Sequence, residues 1–151
     1  MNVSEICTRK IVTVRPGLSV SEAAEVMRGS HVGYLVVVEP MGGSAAEKPV
    51  GVLTDRDIVV SVVSKNTNPL DLRVGDVMSR ELVTVDEERA VKAAVVLMRK
   101  HGVRRLPVTG EDGRLVGVLS LDDVLGAIAA DLQELVDAIR TERTIEAVLR
   151  P

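Results

Sequence analysis

The sequence predicts an α/β (α+β) fold, two βαββα repeats packed against each other with pseudo-twofold symmetry. Three observations predict it. Residues 3–37 align with residues 74–108 without a gap, and twelve of the 35 positions are identical, among them Val12, Thr13, Val14, Met27 and Leu35. Each half alternates Val-rich runs with one amphipathic helical stretch, the pattern of strands and helices sharing a core. The segments GVLTDRD at 51–57 and GVLSLDD at 117–123 then recur, after the register between the halves has shortened by five residues. A unit of about 60 residues buries too little surface to be stable alone, so the two halves are expected to complete one core.

The elements follow in order. IVTV (11–14) and LVTV (82–85) read as short first strands. VSEAAEVMRG is an amphipathic helix that Ser19 or Ser21 caps and Gly29 closes; its counterpart after RAVK has Asp86 as cap, Glu87 and Glu88 in the first turn, and Gly102 at the end. YLVVV and RRLPVT follow as strands, then PVGVLT and LVGVLS, apolar enough throughout to be covered on both faces. The five extra residues fall in PMGGSAAEKPV, a turn that tolerates length. A last helix begins at each TDRD or SLDD junction. This divides the chain into a first repeat over 1–66, a second over 67–130, and a helical tail over 131–151 whose Leu132, Leu135, Val136 and Ile139 recur at helical spacing.

Composition narrows the function. A net charge of −3 and a single aromatic residue, Tyr34, leave neither a polybasic footprint nor a platform on which bases stack, so nucleic acid is not an expected partner. No apolar run reaches membrane-spanning length, the first residues lack the pattern of a signal peptide, and Cys7 is unpaired, which together predict a cytoplasmic protein without a membrane partner. His31 and His101 stand at helix ends and belong to no metal-ligand spacing, so no metal is expected. Nothing places the acids in the paired, differently tuned environments that hydrolysis needs, and no catalytic residue is assigned.

The repeated junction has two readings. Thr54 and Asp57, and Ser120 and Asp123, share the first turn of a helix, where backbone N–H groups and the helix dipole favour an anion and a carboxylate can accept from sugar hydroxyls. The same S/T-x-x-D spacing is also a capping box that needs no ligand.

In order, spacing and duplication, the sequence resembles the paired cystathionine-β-synthase-type domains, the CBS pair or Bateman module. The motifs are CTRKIVTV, VSEAAEVMRGSHVGYLVV and GVLTDRDI in the first half, and VMSRELVTV, RAVKAAVVLMRKHGVRRLPV and GVLSLDDVL in the second. The resemblance covers residues 3–128. It implies a non-catalytic sensor with two clefts between the halves, taking an adenosine-containing ligand: AMP, ADP or ATP, with NAD and S-adenosylmethionine as further candidates. It implies that Thr54 and Asp57, with Thr84 and Val83 of the other half, form one cleft, and that Ser120 and Asp123, with Thr13 and Val12, form the other. Main-chain groups near Leu35 and Leu106 would read the adenine edge, and Arg105 would contact phosphate. Arg56, at the first junction, favours an anionic nucleotide there, whereas Asp122 at the second opposes one. The resemblance also implies a homodimer and an effector protein acting in trans; the alternative is a constitutive homodimeric interaction module that binds no nucleotide.

Overall fold

The computed structural model describes residues 1–79 and 81–150; Arg80, the repeat counterpart of Arg9, and Pro151 lie outside them. Each half opens with a one-turn helix, α1 (Val3–Ile6) or α4 (Val74–Val77), and a two-residue strand, β1 (Thr13–Val14) or β4 (Val85–Asp86). There follow an eleven-residue helix, α2 (Val20–Ser30) or α5 (Val91–His101), and a strand pair, β2 (Tyr34–Pro40) and β3 (Glu47–Thr54) or β5 (Arg105–Thr109) and β6 (Leu115–Ser120). The first half ends in a short α3 (Asp55–Ile58) that continues as a π-helical turn over Val59–Val63, the second in a 29-residue α6 (Leu121–Leu149).

Two three-stranded sheets result, ordered β1-β2-β3 and β4-β5-β6, each with its first strand parallel and its last antiparallel to the middle one. One face of each sheet packs under its own helices. Leu35, Val37 and Leu53 pack with Ala23 and Met27 in the first half, and Leu106, Val108 and Leu119 with Ala94 and Met98 in the second. The opposite faces meet each other through Val36, Val38 and Val118, flanked by Tyr34. Strand alternation decides this partition: within β2, Leu35 and Val37 point one way, Tyr34 and Val36 the other.

The leading helices are exchanged between the halves. Val3 of α1 is fully buried in the second-half cluster with Val85, Leu106 and Leu119, and Val74 of α4 is fully buried in the first-half cluster. Backbone bonds fix each: Val3 N–H donates to the Arg89 carbonyl at 2.9 Å, and Val74 N–H to that of Leu18 at 2.8 Å. The Arg9 guanidinium adds an ion pair to Glu87 at 3.1 Å.

The glycine of each repeated GVLT or GVLS motif now has a structural cause. The segment after α1 crosses β6, where Thr8 and Val118 exchange both backbone bonds at 3.0 Å, and a Cβ on Gly117 would lie 2.9 Å from both Cys7 Sγ and the Thr8 carbonyl oxygen. At Gly51 a Cβ would lie 2.6 Å from Met78 Sδ and 2.9 Å from the Ser79 carbonyl oxygen. Only a residue without a side chain lets a chain pass that close.

Two local expectations change. Ser19 does cap α2, with the Glu22 N–H donating to its Oγ at 3.1 Å, but α5 starts at Val91 behind Ala90 and has no side-chain cap. Asp86 instead accepts from the Glu88 N–H at 2.8 Å, stabilising the turn before that helix. Finally, α2 runs past Gly29 and ends at His31, in the left-handed region at φ 54°, whereas α5 does end on Gly102 at φ 65°.

Candidate functional site

Two cavities lie where the faces of the sheets meet, and they are related by the internal repeat. Val12 and Tyr34 of the first half and Arg105 and Val118 of the second line one, of about 240 Å³. Val83 and Arg105 of the second half and Tyr34 and Val52 of the first line the other, of about 50 Å³. The larger approaches the lower end of ordinary small-molecule pockets, about 300 Å³. The smaller has room for one or two waters at about 30 Å³ each.

Strand geometry relates these cavities to the repeated junctions. Ser120 lies two residues beyond Val118 on the same strand face and pairs with Arg105, so the Ser120–Asp123 junction adjoins the larger, open cavity, although neither residue lines it. Thr54 lies likewise beyond Val52 and pairs with Tyr34, so the Thr54–Asp57 junction adjoins the smaller one, again without lining it.

At both junctions the capping box is formed. Asp57 Oδ2 accepts from the Thr54 N–H at 2.8 Å, while the Asp57 N–H donates to Thr54 Oγ1 at 3.1 Å. Asp123 Oδ2 accepts from both the N–H and the hydroxyl of Ser120, at 2.8 and 2.6 Å. These bonds use one carboxylate oxygen, so among the described residues Oδ1 of each Asp accepts no bond and is available to a ligand.

Among the residues named from sequence, Val12, Val83 and Arg105 line the cavities. Leu35 and Leu106 are fully buried, their side chains committed to the two cores, although their neighbours Tyr34 and Arg105 do face the cavities. Thr13 is held in β1 opposite Val36. Thr84 faces a separate surface depression with Asp86, Arg89 and Val96. Arg56 is exposed at the start of α3 and borders neither cavity.

The electrostatic ranking of the clefts is the reverse of that expected. Lys10, His31 and Arg105 all line the open cavity, whereas the repeat counterparts of the first two are Glu81 and Gly102. Asp122, expected to repel an anion, instead points its carboxylate at the exposed Arg104 guanidinium, 3.6 Å away. Lys10 lies within the CTRKIVTV motif, but the resemblance assigns it no role; comparison with Glu81 across the repeat is the signal that marks it.

Tyr34 and Arg105 occupy equivalent positions of the two halves and face each other across the pseudo-twofold, the guanidinium carbon 5.7 Å from the ring centroid, within cation–π range. Together they form the partition between the cavities. Burial pushes the Tyr34 phenol well above its usual range, with the Arg105 charge opposing in part. Among the described residues its hydroxyl is buried without a hydrogen-bond partner, which costs about 1–3 kcal/mol.

A duplicated α/β unit with exchanged leading helices thus carries paired clefts at its sheet interface. The CBS domain family model matches residues 3–64 and 74–130, and the chain belongs to that family as a tandem CBS pair. An uncharacterized protein of Methanopyrus kandleri is 35% identical over 125 residues, 83% of this chain and 61% of that one, so the chain spans less than two thirds of this relative. A CBS domain-containing protein of Bacillus subtilis is 34% identical over 82% of both chains. Among solved structures, a putative signal-transduction protein with CBS domains from Burkholderia ambifaria superposes with a TM-score of 0.73 at 27% identity, covering 87% of this chain and 96% of that one. A CBS domain pair in complex with 5′-methylthioadenosine and S-adenosylmethionine has the same fold, with a TM-score of 0.73 at 23% identity over 87% of this chain and 98% of that one. No helix among the described residues is long and apolar enough to cross a membrane.

Proposed function

We propose that the protein is a non-catalytic sensor that binds an adenine nucleotide (AMP, ADP or ATP) in the open cleft and signals to a partner protein by a change in the angle between its halves. The observation that carries this is the 240 Å³ cavity at the sheet interface, whose lining combines the apolar Val12, Tyr34, Val36 and Val118 with the cationic Lys10 and Arg105. The base packs against these apolar side chains. Asp123 Oδ1 accepts from the ribose hydroxyls, and Arg105 takes the phosphate in a charge-assisted bond. Because the wall comes from both halves, a ligand there bears on their relative position, and a partner that distinguishes the two positions reads its presence.

The signalling unit is a homodimer joined through α6. Leu125, Ile128, Leu132, Leu135 and Ile139 are spaced alternately three and four residues apart, the seam of a two-stranded coiled coil, and each is about half exposed or more in the single chain.

Calorimetric titration with AMP, ATP and S-adenosylmethionine tests the sensor, with Asp123→Ala beside the native chain. Saturable binding that Asp123→Ala weakens, with the fold intact by circular dichroism, supports it. Silence with all three ligands moves the reading to a constitutive interaction module, in which both S/T-x-x-D boxes act solely as helix caps.

A further inference from the structure

The two halves end their equivalent helices differently, and the difference falls on the open cleft. In the second half Gly102 takes the left-handed position at φ 65°, the residue for which that backbone carries no steric penalty. In the first half the same position is His31, at φ 54° and ψ 41°. A side chain there is disfavoured on steric grounds, and helix termination does not require one, as Gly102 demonstrates.

The cleft supplies a reason for the side chain. His31 lines the open cavity beside Lys10 and Arg105, and none of the three has an ion-pair partner among the described residues. The nearby acid is Asp55, whose carboxylate packs against Gly33 and accepts from the Arg56 N–H at 2.8 Å. Three basic side chains without an ion-pair partner among the described residues, His31 held there at the expense of local backbone preference, are what an anionic group entering the cavity meets.

We propose that His31 is a specificity-determining residue of the open cleft, one that donates to the phosphate of the ligand and so selects a phosphorylated adenosine over adenosine itself or a sulfonium derivative. The inference rests on the open cleft being the nucleotide site and adds the residue that reads the ligand's charge.

The experiment measures AMP affinity by calorimetry, and adenosine affinity by displacement of AMP, for the native chain, His31→Gly, His31→Asn and His101→Gly. Glycine and asparagine both tolerate the left-handed backbone, so either variant keeps the helix end while removing the imidazole. The expected result is a loss of AMP affinity of about tenfold in both His31 variants, equivalent to about 1.4 kcal/mol. Adenosine affinity stays within about twofold, His101→Gly matches the native chain, and the melting temperature of His31→Gly is equal or higher. AMP binding by the native chain that both His31 variants retain within about threefold overturns the role of His31 and leaves the cleft standing. Equal losses for AMP and adenosine also overturn it, because the residue then shapes the pocket without reading charge. A native chain that binds no AMP overturns the cleft reading and this inference with it.

Discussion

Replacing Gly117 by alanine tests how tightly the exchanged N-terminal segment is held. The new methyl would lie 2.9 Å from both Cys7 Sγ and the Thr8 carbonyl oxygen, so the segment must retreat by about half an ångström or more to reach ordinary contact. Retreat strains the two bonds exchanged between Thr8 and Val118, each worth about 0.5–1.5 kcal/mol net. It also loosens the packing of Val3 and Ile6 in the second-half core. Overpacking of this kind costs about 1–3 kcal/mol, and with the weakened bonds about 2–3 kcal/mol is expected in all. At about 2–4 °C per kcal/mol for a chain of this size, the melting temperature falls by about 4–12 °C. Thermal denaturation followed by circular dichroism reads the fall, and faster alkylation of Cys7 places it at the right segment, since burial pushes that thiol up and shields it in the native chain. Gly126→Ala is the control: it sits inside α6 with nothing within 4 Å of the added methyl, and it should stabilise by about 0.5–1 kcal/mol. A melting temperature for Gly117→Ala within about 1 °C of the native value would refute the close-approach account.

Four further outcomes are expected. Val3→Ala should destabilise by about 1.5–3 kcal/mol, and hydrogen exchange should show the lost protection in β5 and β6 of the other half; loss confined to β2 and β3 would contradict the exchange of helices. Ser19→Ala should remove about 1 kcal/mol of helix capping, measured by urea denaturation. Glu22, whose carboxyl the Ser19 bonds hold below the usual range, contributes stability that is present above the unfolded carboxylate pKa and lost as pH falls through the folded one. The gap between Ser19→Ala and the native chain should therefore narrow in acid, and a gap that widens there would count against the box. Leu132→Glu combined with Leu135→Glu should give a monomer by sedimentation while leaving the melting of the two-sheet body unchanged, and a dimer that persists would remove α6 from the interface.

The repeat made the fold legible. Identities such as Met27 with Met98 and Leu35 with Leu106 mark the positions that face the two equivalent cores, and the alternation around them sets which strand faces meet. The exchange of α1 and α4 was not legible, because Val3 and Val74 read as ordinary apolar residues wherever they pack; long-range docking leaves no local periodicity. Asp86 misled as a cap because a turn and a helix start offer the same unpaired N–H groups to a carboxylate. At the site, the Asp and Thr positions were visible as a motif. Arg105 was named, but the cationic lining as a set was not visible, since Lys10, His31 and Arg105 come from three separate segments that only folding brings together.

The exchanged helices also bear on how the chain is made. The Arg9 guanidinium reaches the Val116 carbonyl, 107 residues further along, and α1 has no core to enter until β6 exists. At about 5–20 residues per second, synthesis leaves that N-terminal turn waiting on the order of ten seconds for its seat. The segment that leaves the ribosome earlier is therefore among the last to dock, and the second half closes on residues made before any of its own.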